Sequence, residues 1–149
     1  MLHRARPESG IGPHDRGPTD EWLEFAGRDG VCDRIRAWRA AGFVARLRGL
    51  VARPLPGPGT ALWIEPCAAV HTFGVRGALD LVFVSTCMVV QRIDVAVPTR
   101  RVRIAVGAHA VLELRAGEAA RVGLRVGARL AWRRRDDALA IRYSPVRGG

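Results

Sequence analysis

The stretch of residues 67–80 holds most of the side chains in this sequence that are able to bind a ligand or assist a reaction. It contains a thiol, an imidazole, a hydroxyl, a guanidinium and a carboxylate among two glycines. A loop with glycines is able to turn back on a neighbouring strand, which brings such groups into one site. We therefore predict a site for a small polar ligand here. The predicted ligand-binding residues are His71, Thr72, Arg76, Asp80 and, farther along the chain, Glu113.

Asp80 interrupts an otherwise apolar run, Leu79–Val84, whose two faces we both expect to be buried. A carboxylate in such a place is costly unless it is paired or hydrogen-bonded. Two hypotheses follow: Asp80 is a structural clamp that holds a loop by backbone N–H groups or by Arg76, or it belongs to a ligand site with His71. The sequence favours the clamp.

Cys67 and His71 suggest a metal ligand pair or a thiol nucleophile. In an extended strand, however, four residues separate their positions by about 13 Å. The other histidines, His3, His14 and His109, lie near the start of the chain or far along it. We therefore predict no bound metal and no cofactor, with Cys67 a small apolar residue and His71 a hydrogen-bonded one.

Glu113 shares a strand face with Val111, so it is either exposed or turned towards a polar site. Arg115 is its nearest ion-pair partner in sequence. Gly117 precedes Glu118, and the N–H groups of a helix that starts there are able to meet an anion. An ordinary helix start is the favoured interpretation.

The basic charge admits a polyanion-binding function without requiring it. The formal net charge is +10, and all 24 basic residues are Arg. Residues 1–33 carry a net charge of −3 and residues 34–149 a net charge of +13, so the excess lies in the predicted domain. Arg without Lys or Asn is also typical of a GC-rich genome. Nonspecific binding to nucleic acid is therefore an alternative.

Cysteine usage and hydropathy predict a cytoplasmic protein that does not enter a membrane. Three cysteines at wide spacings do not form a disulfide framework or a zinc knuckle. The first ten residues, MLHRARPESG, lack the apolar run of a signal peptide. The longest apolar stretch, Leu81–Val90, is too short to span a bilayer.

The elements that must position these residues are mostly strands. Residues 1–19 are rich in Pro and Gly and are predicted to be a disordered tail, followed by a single domain over residues 20–149. Period-two patterns predict a mostly β fold (α+β with minor helix), a compact antiparallel sheet or partial barrel of about eight short strands with two short helices. The predicted strands are Glu21–Ala26, Val31–Ala40, Ala61–Glu65, Leu79–Val84, Met88–Val97, Val102–Val106, Ala110–Leu114 and a hairpin from Leu130 to Tyr143; the helices are Gly42–Val51 and Gly117–Gly123. The first two strands are predicted to form a hairpin, and so are Leu79–Val84 and Met88–Val97.

Two longer segments resemble the bacterial family known as domain of unknown function 192 (DUF192). They are ARLRGLVARPLPGPGTALWIEPCAAVHTFGVRGALDLVFV, from Ala45 to Val84, and VLELRAGEAARVGLRVGARL, from Val111 to Leu130. The likeness covers roughly residues 28 to 132. It implies a compact β-rich fold, and no established activity, cofactor or substrate.

The sequence departs from the family pattern in four places. Val75 stands where the family usually has Met, and Gly77 where it has a bulky residue. A shorter link, residues 85–87, replaces an Asp and an acidic-Gly turn. Gly127-Ala128 replaces a frequent Gly-Asp pair, so a function that depends on that Asp is lost or altered here.

These observations give a leading hypothesis and two alternatives. The chain contains no P-loop, dinucleotide fingerprint, G-x-S-x-G or H-E-x-x-H motif. The leading hypothesis is a non-catalytic binding or accessory domain for a small polar ligand or a protein partner. One alternative is a hydrolase that uses His71 and Asp80 with Cys67 or a bound water. The other is a nonspecific polyanion binder that acts through its arginine-rich surface.

Overall fold

A computed structural model describes residues 21–27, 30–40, 42, 49–51 and 53–134. Within these ranges the chain forms nine strands and one short helix, which confirms the mostly β prediction. Their bounds are β1 Glu21–Ala26, β2 Cys32–Arg39, β3 Thr60–Ile64, β4 Ala69–His71, β5 Leu79–Val84, β6 Val90–Val97, β7 Val102–Ile104, β8 Ala110–Arg115, α1 Glu118–Arg121 and β9 Ala131–Arg134.

Seven of the strands form one open sheet in the order β6-β5-β8-β3-β2-β1-β9, and β4 pairs with β7 in a small second sheet. Among the described pairs only β2 and β3 are parallel, so the large sheet is mixed rather than fully antiparallel. The long connection between β2 and β3, residues 40–59, makes a parallel crossover feasible.

The core lies on both faces of the large sheet, because successive residues of a strand point to opposite sides. On β5, Val82 and Val84 pack into one apolar cluster, while Leu79, Leu81 and Phe83 pack into the other. We call these the first and second core layers. The first layer also contains Leu23, Ile35, Trp63, Leu112 and Ala119 of α1, and the second contains Leu62, Val70, Val75 and Val111.

The predicted hairpin of β5 and β6 is present, but β6 is less regular than its sequence pattern. Three residues of β5, from Leu79 to Leu81, face four residues of β6, from Asp94 to Val97. The extra residue is a β-bulge, with Ala96 at a φ of 48°. The bulge shifts the alternation, so Val95 is 66% exposed instead of sharing a buried face with Val97.

Other predicted elements are found, and some lie outside the described residues. The predicted hairpin of β1 and β2 is confirmed, and α1 confirms the helix predicted at Gly117–Gly123. Strand β4 was not predicted. The tail at residues 1–19, most of the helix predicted at Gly42–Val51 and the hairpin beyond Arg134 fall outside the described ranges. No helix within those ranges is long and apolar enough to span a membrane.

Candidate functional site

The small sheet of β4 and β7 is fastened to the edge strand β6 by a charged network. Asp94 of β6 accepts two hydrogen bonds from Arg92, at 2.6 and 2.7 Å, and lies 3.3 Å from Nε of Arg103 on β7. Arg92 also donates to the carbonyl of Ile104, at 3.2 Å. The position of β7 beside β6 is therefore fixed by side chains as well as by the apolar layer beneath it.

Thr72 connects the loop after β4 to the loop before β7. Its hydroxyl donates to the carbonyl of Pro98 at 2.7 Å and accepts from the N–H of Arg101 at 2.9 Å. Its backbone N–H donates to the carbonyl of Arg101, and its carbonyl accepts from the N–H of Arg100. Thr72 is 1% exposed, so its placement makes it a buried latch between the two loops.

The outward side of the small sheet is unusually apolar for a solvent-facing surface. Val70 pairs with Arg103 and points into the second core layer, so the neighbouring pairs point outward. Val102 and Ile104 are 54% and 60% exposed, and Phe73, beyond the end of β4, is 49% exposed. The residues on this side, which we call the outer face, are Ala69, His71, Phe73, Val102 and Ile104.

Three exposed arginines stand on the two latched loops next to the outer face. Arg76 belongs to the loop after β4, and Arg100 and Arg101 to the loop before β7. Within the described part of the chain, none of the three has a carboxylate within ion-pair distance. Arg100 has a φ of 61°, a left-handed conformation that a residue with a side chain rarely adopts. We call these three residues the arginine rim.

His71 and Cys67 do not form a hydrogen-bonded pair. The Cys67 thiol donates to the carbonyl of Ala69 at 3.1 Å. Burial raises the pKa of Cys67. A hydrogen bond with the backbone of Ala69 opposes this shift, and the charge of Glu113 adds to it. The ring of His71 lies 6.0 Å from that of Phe73, and its buried Nδ1 has no hydrogen-bond partner among the described residues.

Asp80 lies on the other side of the large sheet from the small sheet. On β5 it shares the face of Val82, in the first core layer, whereas β4 packs over the second. Its two oxygens accept from the N–H of Ala96 at 2.9 Å and from the N–H of Ala119 at 3.0 Å. It therefore holds the β6 bulge and the start of α1, and the N–H that the sequence offered to an external anion is taken by this carboxylate.

Glu113 is buried in the second core layer instead of reaching Arg115. Its strand neighbours are Leu62 of β3 and Leu81 of β5, and the residue is 2% exposed. Burial raises its pKa to about 7, although a hydrogen bond from the backbone N–H of Leu50 opposes the shift. Its Oε2 has no hydrogen-bond partner among the described residues. A Cβ on Gly49 would lie 3.1 Å from both carboxylate oxygens, so a side chain at position 49 would crowd Glu113.

Sequence reasoning missed a polar cluster around Glu65. This carboxylate is 2.9 Å from Nε2 of His109, accepts from the indole N–H of Trp63 at 2.8 Å, and lies 3.8 Å from Arg39. Arg39 stacks on Trp132, with its guanidinium 4.0 Å from the ring centre. Glu65 and His109 are 44 residues apart, so no local spacing could have signalled their contact.

A cleft of about 430 Å³ lies between the end of the β1–β2 hairpin and α1, away from all five predicted site residues. Cys32, Asp33 and Arg121 are its polar side chains. Within the described ranges, no group of three or more His, Cys, Asp or Glu side chains is placed to hold a metal ion. The structure thus places His71 at the end of β4, Thr72 directly after it and Arg76 on the loop that follows. Asp80 lies on the opposite side of the large sheet, and Glu113 is buried in the second core layer beneath the small sheet.

Comparison with known proteins supports the family and the fold. A family model, DUF192, described as "Uncharacterized ACR", matches residues 25–132. A protein of unknown function from Novosphingobium aromaticivorans DSM 12444 has a similar crystal structure, with a TM-score of 0.67, 24% identity and coverage of 74% of this chain and 84% of that one. A second crystal structure, described as a "putative transcription regulator" from Sinorhizobium meliloti 1021, has a TM-score of 0.68, 19% identity and coverage of 75% and 92%. No protein with a curated description matches by sequence. At these identities the two solved structures are similar in fold alone.

Proposed function

This chain belongs to the DUF192 family, and from that premise we propose that it is a non-catalytic binding protein that holds an anionic partner at the arginine rim. A single observation carries the proposal. Thr72 latches the two loops that present Arg76, Arg100 and Arg101, and these arginines have no carboxylate within ion-pair distance in the described part of the chain. Fixed loops present cations at a lower entropic cost than mobile ones.

The charge distribution elsewhere supports the choice of this site. Glu21, Glu24, Glu65, Asp94 and Glu118 each lie within 4 Å of an arginine. Those arginines are therefore partly neutralised, whereas the three rim arginines, like Arg36 and Arg129, form no ion pair in the described part of the chain. The rim differs from Arg36 and Arg129 in standing beside the exposed apolar outer face. The same proposal assigns the protein to the cytoplasm, because Cys32, Cys67 and Cys87 are all free thiols, as is usual in a reducing compartment.

The hydrolase alternative has less support. A nucleophile and its base need to be within hydrogen-bond reach of each other. The Cys67 thiol is directed to a backbone carbonyl, and Asp80 lies across the sheet from His71. The nucleic-acid alternative is supported by the exposed arginine rim, which is also able to meet phosphates. The Sinorhizobium protein described as a "putative transcription regulator" is similar in fold.

The proposal is tested by two double variants of equal charge. Arg100→Gln/Arg101→Gln removes two rim charges, and Arg36→Gln/Arg129→Gln removes two exposed charges from other parts of the sheet. Binding of each to labelled polyglutamate and to heparin is measured by fluorescence anisotropy across a salt series. We expect the rim variant to lose about tenfold in affinity and the control variant much less.

Equal losses in the two variants would mean that net charge alone governs binding, and would overturn the proposal. Polyglutamate serves as the carboxylate probe and heparin as the sulfate probe, so their ratio reports which anion the rim prefers. Thermal melts of both variants should match the wild type, because all four arginines are exposed.

A further inference from the structure

The outer face and the arginine rim together define the chemistry of the partner. Building on the proposed function, we propose that the partner is a protein segment in which acidic and apolar side chains alternate. Its apolar side chains pack on Val102 and Ile104 and its carboxylates meet the rim. The geometry therefore assigns an interaction surface to the outer side of β4 and β7.

The apolar part of this surface is preformed. Val102 and Ile104 are consecutive outward residues of β7, and they face His71 and Ala69 on the paired strand β4. More than half of each side chain surface is open to solvent. β-branched side chains have few rotamers, so little conformational entropy is lost when a partner covers them. Contiguous exposed apolar residues with a polar rim are typical of a protein-binding site.

Charge decides which kind of protein fits this surface. The rim is formed by cations alone, so the same surface of a second copy of this chain would offer the rim no carboxylate. An acidic partner instead gains charge-assisted hydrogen bonds at the rim. Alternation at period two places the apolar side chains of an extended segment on one side and the carboxylates on the other. A segment that lies along the border between the outer face and the arginine rim therefore presents one side to each.

The composition of the outer face favours a protein over a lipid surface. Membrane-contacting surfaces concentrate Trp and Tyr at the interface. The four Trp residues are Trp22, Trp38, Trp63 and Trp132, all on β1, β2, β3 or β9, and none is on the small sheet. The outer face instead presents Val102 and Ile104 on β7, which pairs with β4. These side chains form a rigid apolar surface on which a complementary protein surface is able to pack.

The experiment compares two labelled peptides of about ten residues and equal charge, acetyl-(Glu-Val)5-amide and acetyl-(Glu-Ser)5-amide, as extended probes. Each is titrated with the full-length protein in fluorescence anisotropy. We expect the Glu-Val peptide to bind about tenfold more tightly. Val102→Thr/Ile104→Thr should abolish that preference while keeping strand propensity. The control Val31→Thr/Val126→Thr changes two residues of matched exposure, 65% and 59%, elsewhere and should retain it.

Four other results would each contradict the proposed protein partner, and they differ in what they leave standing. Equal binding of both peptides, still weakened by Arg100→Gln/Arg101→Gln, would overturn this inference and leave the proposed function standing. Binding that is insensitive to the rim variant would remove both. Tighter binding to vesicles of phosphatidylserine and phosphatidylcholine than to the Glu-Val peptide would replace the protein partner with a membrane. A dimer in sedimentation that Val102→Thr/Ile104→Thr dissociates would replace it with a second copy of the chain.

Discussion

Asp80 and Glu113 are buried carboxylates on the adjacent strands β5 and β8, yet their surroundings give them different properties. Asp80 accepts two backbone N–H groups, from Ala96 and Ala119. Glu113 accepts one, from Leu50, and leaves Oε2 unpaired among the described residues. A buried carboxylate needs several donors to remain ionised without cost. Asp80 has the contacts of a clamp, and Glu113 is the poorly compensated one.

Replacement of Asp80 should therefore destabilise the protein. Asp80→Ala leaves the buried N–H of Ala119 and the part-buried N–H of Ala96 without their acceptor, and should lower the free energy of unfolding by about 2–4 kcal/mol. Asp80→Asn should cost less, roughly 1–2 kcal/mol, because one side of the amide still accepts while its NH₂ opposes the second N–H. Urea denaturation followed by tryptophan fluorescence measures both. An Asp80→Asn variant as stable as the wild type would show that the two hydrogen bonds contribute little.

Glu113 should make stability decrease as the pH rises. Its folded pKa of about 7 exceeds the ordinary value of 4.5, so the folded state holds the proton more tightly than the unfolded state. That contribution is complete below pH 4.5 and is lost as the pH rises through 7. Relative to Glu113→Gln, the wild type should lose about 3 kcal/mol of unfolding free energy between about pH 4 and pH 8.

At each pH, the free energy of unfolding of Glu113→Gln is subtracted from that of the wild type. This difference removes the contribution of every other group that titrates alike in the two proteins. A difference that stays constant across this range would mean that Glu113 ionises in the fold without cost. The companion variant Gly49→Ala should be destabilised at every pH, because its Cβ would press on both carboxylate oxygens.

At the scale of elements, the loops around the small sheet depend on one latch. Thr72→Val keeps the shape of the side chain but removes the acceptor of the Arg101 N–H and the donor to Pro98. We expect a loss of about 1–3 kcal/mol in unfolding free energy and a fall in polyglutamate affinity, although no charge changes. Thr99→Val, an exposed threonine in the same loop, is the matched control and should change stability by less than about 0.5 kcal/mol. A Thr72→Val variant that binds polyglutamate with wild-type affinity would show that the arginine rim does not depend on the hydrogen bonds of Thr72.

Glycines and a bulge also show how elements adapt to one another. A Cβ on Gly77 would lie 2.8 Å from Cδ1 of Leu55, so Leu55 occupies the space that a side chain at position 77 would need. A bulky residue at position 77 would therefore require Leu55 to move. Likewise the extra residue in β6 provides the N–H of Ala96 that Asp80 binds. In the first place a glycine leaves room for a neighbouring side chain, and in the second a backbone bulge supplies the hydrogen-bond donor for a carboxylate.

At the scale of the whole molecule, the net charge of +13 in residues 34–149 should produce weak, nonspecific affinity for nucleic acid. For about four neutralised phosphates, single-stranded DNA affinity should fall roughly fiftyfold between about 50 and 200 mM salt. Filter binding with oligonucleotides of different sequence measures both the slope and the selectivity. Tight, sequence-selective binding at physiological salt would instead favour a nucleic-acid function.

The sequence by itself determined the local elements of this protein. The apolar run Leu79–Val84 predicted β5, and period-two patterns predicted β6 and β8. The glycines at positions 117 and 123 bracketed α1. These features depend on neighbours within a few residues, which a single sequence displays directly. The same local reasoning identified Asp80 as a buried carboxylate, and the structure buries it completely.

Only the tertiary structure decided which strands lie side by side and which face of the sheet each side chain meets. It alone showed the parallel pair β2–β3, the contact of Glu65 with His109, and the separation of Asp80 from His71. It also turned Glu113 into the core. The reason is physical: strand pairing and burial arise from contacts between residues far apart in sequence, and one bulge or crossover reverses which face a residue occupies.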